Sequence, residues 1–399
     1  MSNLNETVSA ERVHIAFFGR RNAGKSSLVN AVTGQALAVV SDVKGTTTDP
    51  VKKAMELLPI GPVMIIDTPG FDDEGELGEK RVMKTREILA KTDVAVLVVD
   101  ASVGITDAEK DFLTVIGEKK LPCITVYNKI DVSGVPPLRE NEIAVSAKEN
   151  VGINELKERI GLLAKSKQNV RRVVGDLIEK GDIVVLVTPI DESAPKGRLI
   201  LPQQQTIRDI LDSGASALVC QVEELSGILA SLKNPPKMVI TDSQAFGKVS
   251  KAVPPEIPLT SFSILFARYK GNLESQVRGA AALKSLSDGD RILISEGCTH
   301  HRQCGDIGTV KMPKWIADFS GARIDFEFTS GGEFPLDLSK YKLVVHCGGC
   351  MLNEAEMTSR VGAANAAGVP IVNYGVAIAH MNGILSRSLE LFPKVKELL

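Results

Sequence analysis

The chain has 399 residues, enough for two or three domains at about 150 residues each. A hydrophobic content of 44% supports packed cores and excludes wholesale disorder, while a net charge of −2 excludes a generally polybasic nucleic-acid or membrane binder. Aromatics at 4% argue against a base-stacking surface, and no apolar run approaches the about 18 residues of a membrane span. Residues 1–12 (MSNLNETVSAER) carry no signal-peptide core, so the expectation is a cytoplasmic protein with neither nucleic-acid nor membrane partners.

In chain order, VHIAFF (13–18), VMIID (63–67), VAVLVVD (94–100), CITVYN (123–128) and IAVS (143–146) are short apolar runs ending at polar or Gly residues. They predict buried parallel strands, with helices between. Ile153, Leu156, Ile160 and Leu163 repeat at helical spacing and close this unit, a doubly wound α/β domain placed at 1–170. The polar SKQNVRR (166–172) is a joint. DIVVLVT (182–188), ALVCQV (217–222) and KMVITD (237–242) predict a small α/β middle domain over 175–262, with VPPEIP (253–258) at its far edge. A helical LESQVRGAAALKSL, then RILISE (291–296), RIDFEF (323–328), LVVHC (343–347) and PIVNYG (370–375), predict a third unit over 263–399, another open α/β sheet.

Gly19-Arg-Arg-Asn-Ala-Gly24-Lys25-Ser26 fits the phosphate-binding pattern G-x-x-x-x-G-K-[ST] between a strand and a helix. Glycines let the backbone N–H groups from Gly19 through Asn22, Ala23, Gly24 and Ser27 close around phosphates, and the helix N-terminus adds a favourable dipole. Lys25 reaches the β/γ-phosphates and Ser26 ligates Mg²⁺. Asn128-Lys129-Ile130-Asp131 follows a strand, where the Asp131 carboxylate can accept from guanine N1–H and N2–H₂; adenine lacks that donor pair. Ser146-Ala147-Lys148 is placed for a second guanine contact. Asp67-Thr-Pro-Gly70 ends a strand, where the carboxylate can hold Mg²⁺ through water and Gly70 can sense the γ-phosphate. Thr47, within Gly45-Thr-Thr-Thr48, is the candidate Mg²⁺ ligand of a switch segment. Lys25, Thr47 and Gly70 are the candidate catalytic positions.

This ordered set resembles the translation-factor class of GTPases, close to the Era and tRNA-modification GTPases. The residue after Gly70 is Phe71, which cannot orient an attacking water. Relatives with this substitution use a K⁺ ion held partly by a P-loop Asn, which Asn22 matches; Glu76 or Glu79 could orient the water.

Six cysteines are too few for a disulfide scaffold. Cys298, Cys304, Cys347 and Cys350 cluster with His300, His301 and His346, which points to a metal, whereas Cys123 and Cys220 lie inside strands as core residues. Thiolates select Zn²⁺ or an Fe–S cluster, and on the residues alone these two readings stand beside a third, core cysteines with no ligand. A GTPase domain followed by C-x-H…H-C-x-x-C resembles the [FeFe]-hydrogenase maturation GTPases, the HydF family, over the whole chain. The resemblance implies a scaffold that hydrolyses GTP to GDP and binds a [4Fe–4S] cluster through Cys298, Cys347 and Cys350. It also implies receipt of a di-iron precursor built by two radical-SAM maturases, delivery to apo-[FeFe]-hydrogenase, and a homodimer formed through the middle domain. His300 and His346 are candidate fourth ligands, or hydrogen-bond donors beside the cluster; Cys304 lies outside the pattern. The rival function is an RNA-modification or ribosome-assembly GTPase with a C-terminal zinc domain. A single Trp, Trp315, and the lack of a long Lys/Arg run argue against it. A third reading is a GTP-switched Fe–S sensor with no transfer role.

Overall fold

Val13–Phe18 forms β1, and all but its first residue are buried. Such a strand needs apolar side chains on both faces, and the flanking strands supply the cover. The computed structural model describes residues 11–34, 50–58, 60–70, 84–167, 171–189, 199–271, 273–297 and 306–399, and divides into two units, 1–170 and 171–399.

In the first unit, β1 joins β2 (Val51–Leu57), β3 (Gly61–Asp67), β4 (Val94–Asp100), β5 (Cys123–Asn128) and β6 (Glu142–Ala144) in the order β2-β3-β1-β4-β5-β6. All pairings are parallel except β2 with β3. β2 is absent from the sequence-based expectation. Its residues VKKAMEL are mostly exposed, so this edge strand shows no apolar run. Two apolar layers cover the sheet: Ile15, Phe17, Leu28 and Ile160 lie in one, Phe18, Leu97, Phe112 and Ile116 in the other. The parallel registers Phe17↔Asp67 and Asp100↔Asn128 bring the polar strand ends to one edge, the usual ligand edge of such a sheet.

The second unit holds two parallel four-stranded sheets. One contains β7 (Ile183–Val187), β8 (Ser216–Cys220), β9 (Met238–Thr241) and β10 (Leu259–Ser261), ordered β10-β9-β7-β8. The other contains β11 (Arg291–Ser295), β12 (Asp325–Thr329), β13 (Leu343–His346) and β14 (Ile371–Asn373), ordered β12-β11-β13-β14. Helices Phe262–Lys270 and Leu273–Ala281 follow β10 directly. Phe266 and Val277 on them belong to one hydrophobic cluster that runs from Val173 and Ile240 to Ile294, Val376 and Leu389, so the two sheets share a core. Among the described residues no helix is long and apolar enough to cross a membrane.

Candidate functional site

The phosphate-binding loop lies between β1 and helix Lys25–Thr33. Gly24, at φ 86°, occupies the left-handed region, and a Cβ there would lie 2.3 Å from Asn128 Nδ2; only glycine permits this approach. Asn128 Nδ2 donates to the Ala23 carbonyl at 3.0 Å, and its Oδ1 accepts from the Ala147 N–H at 3.0 Å. One buried side chain thereby ties the loop to Ser146-Ala147-Lys148. The buried Lys25 donates through Nζ to the Gly19 carbonyl at 2.9 Å and the Arg20 carbonyl at 2.7 Å. Asn22 is exposed, with φ 61°. Ser27 lies in the first turn of the helix.

Ser26 Oγ donates to Asp67 Oδ2 at 2.7 Å. Asp67 is 2% exposed, and its Oδ1 finds no hydrogen-bond partner among the described residues. Burial raises its carboxyl above the ordinary value, opposed by the Ser26 bond and the Lys25 charge. A buried carboxylate with an unspent oxygen beside a hydroxyl suits a hard cation, so Ser26 and Asp67 fit Mg²⁺ and its water shell. Thr68 Oγ1 donates to the Phe17 carbonyl at 2.7 Å and fixes the approach to the buried Gly70.

At the base-recognition end, the Ser146 hydroxyl donates to Asp131 Oδ1 at 2.6 Å and holds that exposed carboxyl below its ordinary value. Lys129, at φ 71°, reaches Asp100 Oδ2 at 2.6 Å. Sequence reasoning missed Asp100. Its signal was available: an Asp closing the strand next to the one that ends at Asn128.

The second cluster of candidates lies where β13 ends. The Cys347 N–H donates to the Ser295 carbonyl at 2.9 Å, placing the thiol beside the end of β11. Cys347 Sγ accepts from the Gly297 N–H at 3.0 Å and the Gly349 N–H at 3.4 Å. Burial pushes this thiol up to about 11, with the two N–H donors opposing. The Cys350 thiol is also raised by burial, against the nearby Lys270 charge. Gly349 has φ 62°, a turn that β-carbon residues rarely adopt. Two thiols three residues apart, one with two N–H donors aimed at its sulfur, are suited to thiolates bound to iron.

His346 is fully buried. Arg360 Nη1 donates to its Nε2 at 3.0 Å, so the proton sits on Nδ1, which faces the Cys347 carbonyl at 2.8 Å. Burial and the adjacent Arg360 charge push its pKa down to about 3, so the ring is neutral. Both nitrogens have protein partners in this arrangement. Arg360 also donates to Glu356 Oε1 at 2.6 Å, the Gly331 carbonyl at 2.7 Å and Ser295 Oγ at 3.2 Å. Neither Arg360 nor Glu356 was singled out from the sequence; their four-residue spacing on helix Glu354–Ala366 is the only local sign. Removing one member of a buried pair strands the other charge, so Arg360→Leu should destabilise the second unit by about 3–5 kcal/mol. Trp315, the one tryptophan, packs on that unit's core, so its fluorescence during denaturant unfolding reads the change. An unchanged midpoint would contradict it.

Thr47, Phe71, Glu76, Glu79, Cys298, His300, His301 and Cys304 lie outside the described residues. Among the described residues no three His, Cys, Asp or Glu side chains converge into a metal-holding group. Cys123 and Cys220 sit in β5 and β8, where burial raises both thiols, Cys123 to about 12.

The fold and the loop geometry define a P-loop GTPase domain joined to a cysteine-bearing α/β unit. Residues 14–129 match the family described as 50S ribosome-binding GTPase. Residues 173–271 match the hydrogen maturase F dimerization domain, and residues 274–391 the hydrogen maturase F tetramerization domain. Together the last two span more than half of the chain, which belongs to the hydrogen maturase F family. Its GTPase part is 35% identical over 166 residues to the tRNA modification GTPase MnmE of Nitrosomonas europaea, covering 40% of this chain and 36% of that protein. It is 38% identical over 157 residues to MnmE of Dechloromonas aromatica, covering 37% of this chain and 34% of that protein. The chain thus spans about a third of the length of these curated relatives. The crystal structure of Aquifex aeolicus Era bound to GDP and AlF₄⁻ aligns with 52% of this chain and 91% of that one, at 20% identity and a TM-score of 0.35.

Proposed function

We propose that this protein is a GTP-hydrolysing scaffold of [FeFe]-hydrogenase maturation. It binds a [4Fe–4S] cluster through Cys298, Cys347 and Cys350 and carries a di-iron precursor from two radical-SAM maturases to apo-hydrogenase. The observation that carries this reading is the pair of hydrogen maturase F matches over 173–391, a region that holds a half-buried cysteine, Cys347, with two N–H donors on its sulfur. Likeness to the tRNA-modification enzymes covers about 40% of the chain, so their substrate is not carried over.

Three thiolates leave one iron with an exchangeable site, which is apt for docking a precursor. His346, bonded at both nitrogens, supports the Cys347 backbone, and His300 is the candidate fourth ligand. Residues 175–262 serve in dimerisation and 263–399 in cluster binding, and the family descriptions point to assembly beyond a dimer. In the GTPase domain Ser26, Thr47 and Asp67 serve Mg²⁺, and the backbone from Gly19 to Ser27 with Lys25 serves the phosphates. Asn128, Lys129, Asp131, Ser146, Ala147 and Lys148 serve the guanine. The test is anaerobic reconstitution with iron and sulfide, read by absorption and EPR, followed by maturation of apo-hydrogenase with both maturases. A colourless zinc protein would sink the proposal.

Two outcomes follow for the GTPase domain. Asp131→Asn should weaken GTP by about 100-fold, since a guanine N–H donor pair then meets an amide, and should admit xanthine nucleotides. Unchanged GTP affinity in a nucleotide titration would refute the base assignment. K⁺ should accelerate turnover more than Na⁺, because Asn22 stands in the exposed loop at φ 61° and Phe71 follows Gly70. Equal rates in the two salts at matched ionic strength would count against it.

A further inference from the structure

Lys270 is the last residue of helix Phe262–Lys270, about 80 positions before the cysteine loop in sequence, yet its side chain ends inside that loop. It is 3% exposed. Its Nζ donates to the carbonyls of Gly349 at 3.3 Å, Cys350 at 3.2 Å and Leu352 at 2.9 Å. An ammonium has three protons to donate, and burying one is expensive unless they are used. A Leu or Met could fill the same space without that cost, so the charge itself needs a reason.

The peptide groups supply it. In a trans peptide the carbonyl and the next N–H point in opposite directions. The Gly349 carbonyl shares its peptide with the Cys350 N–H, and the Cys350 carbonyl shares its peptide with the Met351 N–H. The same loop carries the Gly349 N–H, which donates to Cys347 Sγ at 3.4 Å, and the Lys270 charge lies near the Cys350 thiol. Lys270 therefore holds two peptide dipoles with their negative ends on its ammonium and their N–H ends turned away from it. A thiolate, and an iron cluster attached to it, gains stabilisation from the buried cation and from a loop held in place around the Gly349 N–H.

We propose that Lys270 is a positioning residue that orients the Cys347–Cys350 loop for thiolate ligation and raises the reduction potential of the cluster held there. The proposal rests on the cluster reading above. Adding one electron to the cluster increases its negative charge, and Lys270 favours that state through its charge and through the loop conformation it holds. Loss of either effect moves the midpoint the same way, to more negative potential.

The test uses the full-length chain reconstituted anaerobically with iron and sulfide. The wild type, Lys270→Met and Lys270→Arg are compared by iron content and by a dithionite titration followed by EPR, dithionite supplying the electron. Lys270→Met is expected to keep its iron but to show the reduced-cubane signal only at more negative potential. Lys270→Arg, which keeps the charge, should return the midpoint towards the wild-type value. A wild-type midpoint in Lys270→Met overturns the proposal. If Lys270→Met takes up no iron, Lys270→Arg decides: iron with a near-wild-type midpoint supports the proposal, and loss from both variants reduces Lys270 to packing and overturns it. A wild type that takes up no iron refutes the cluster reading itself and takes this proposal with it.

Discussion

Lys25→Ala is expected to lower GTP turnover by at least about 100-fold, the scale seen when one preorganised donor to a developing anion is removed. Lys25 is buried at the base of the phosphate-binding loop, where its ammonium meets the Gly19 and Arg20 carbonyls. Those bonds pin the side chain along the loop, so little conformational entropy remains to be lost when a β/γ-phosphate takes up the same charge. Alanine removes the cation and its bonds to those two carbonyls. The rate should therefore fall with binding, as read by steady-state phosphate release and by titration with a fluorescent GTP analogue. The second unit should be untouched, so Trp315 fluorescence should unfold at the wild-type denaturant concentration. Turnover within a few-fold of wild type would remove Lys25 from the catalytic group.

Legibility in the sequence followed a physical rule. The strands β1, β3, β4, β5, β7, β9, β11 and β13 are buried on both faces, so they show as apolar runs. β2, VKKAMEL, is mostly exposed and carries two lysines and a glutamate, and β10 is Leu-Thr-Ser, so neither leaves an apolar run to read. The phosphate-binding loop was legible because its function is local: eight consecutive residues turn from strand to helix and must expose backbone N–H groups. Asn128 was legible as a guanine-side residue, but its clamp on Ala23 was not, because that contact exists only once β1, β4 and β5 lie side by side. The same holds more strongly around the cysteines. Arg360 reaches His346 from the helix that follows β13, whereas Lys270 reaches the Cys350 loop because two sheets share one core, and no spacing along the chain announces a contact about 80 residues apart.

Cys347→Ser should abolish most of the iron bound on reconstitution, and Cys298→Ser and Cys350→Ser should do the same. A cubane with three protein thiolates that loses one is left with two irons without a protein ligand, and serine is a poor substitute for soft iron–sulfur chemistry. Position 347 is exacting in the described structure. Its sulfur already takes N–H groups from Gly297 and Gly349, the first following β11 and the second in the Cys347–Cys350 loop. A serine oxygen has a shorter bond to Cβ and would leave those donors under-filled, so the loop should loosen as well as lose its ligand. Cys304→Ser, outside the C-x-H…H-C-x-x-C pattern, should keep its iron. All four variants should hydrolyse GTP, because Lys25, Asp67 and Asn128 belong to the other unit. Hydrogenase maturation should fail in the three ligand variants even so, which separates a delivery scaffold from a GTPase carrying a structural metal. Four irons and normal maturation with Cys347→Ser would refute the ligand set. An essential Cys304 would make the set four thiolates. That would close the exchangeable iron and turn the site towards electron transfer or structure.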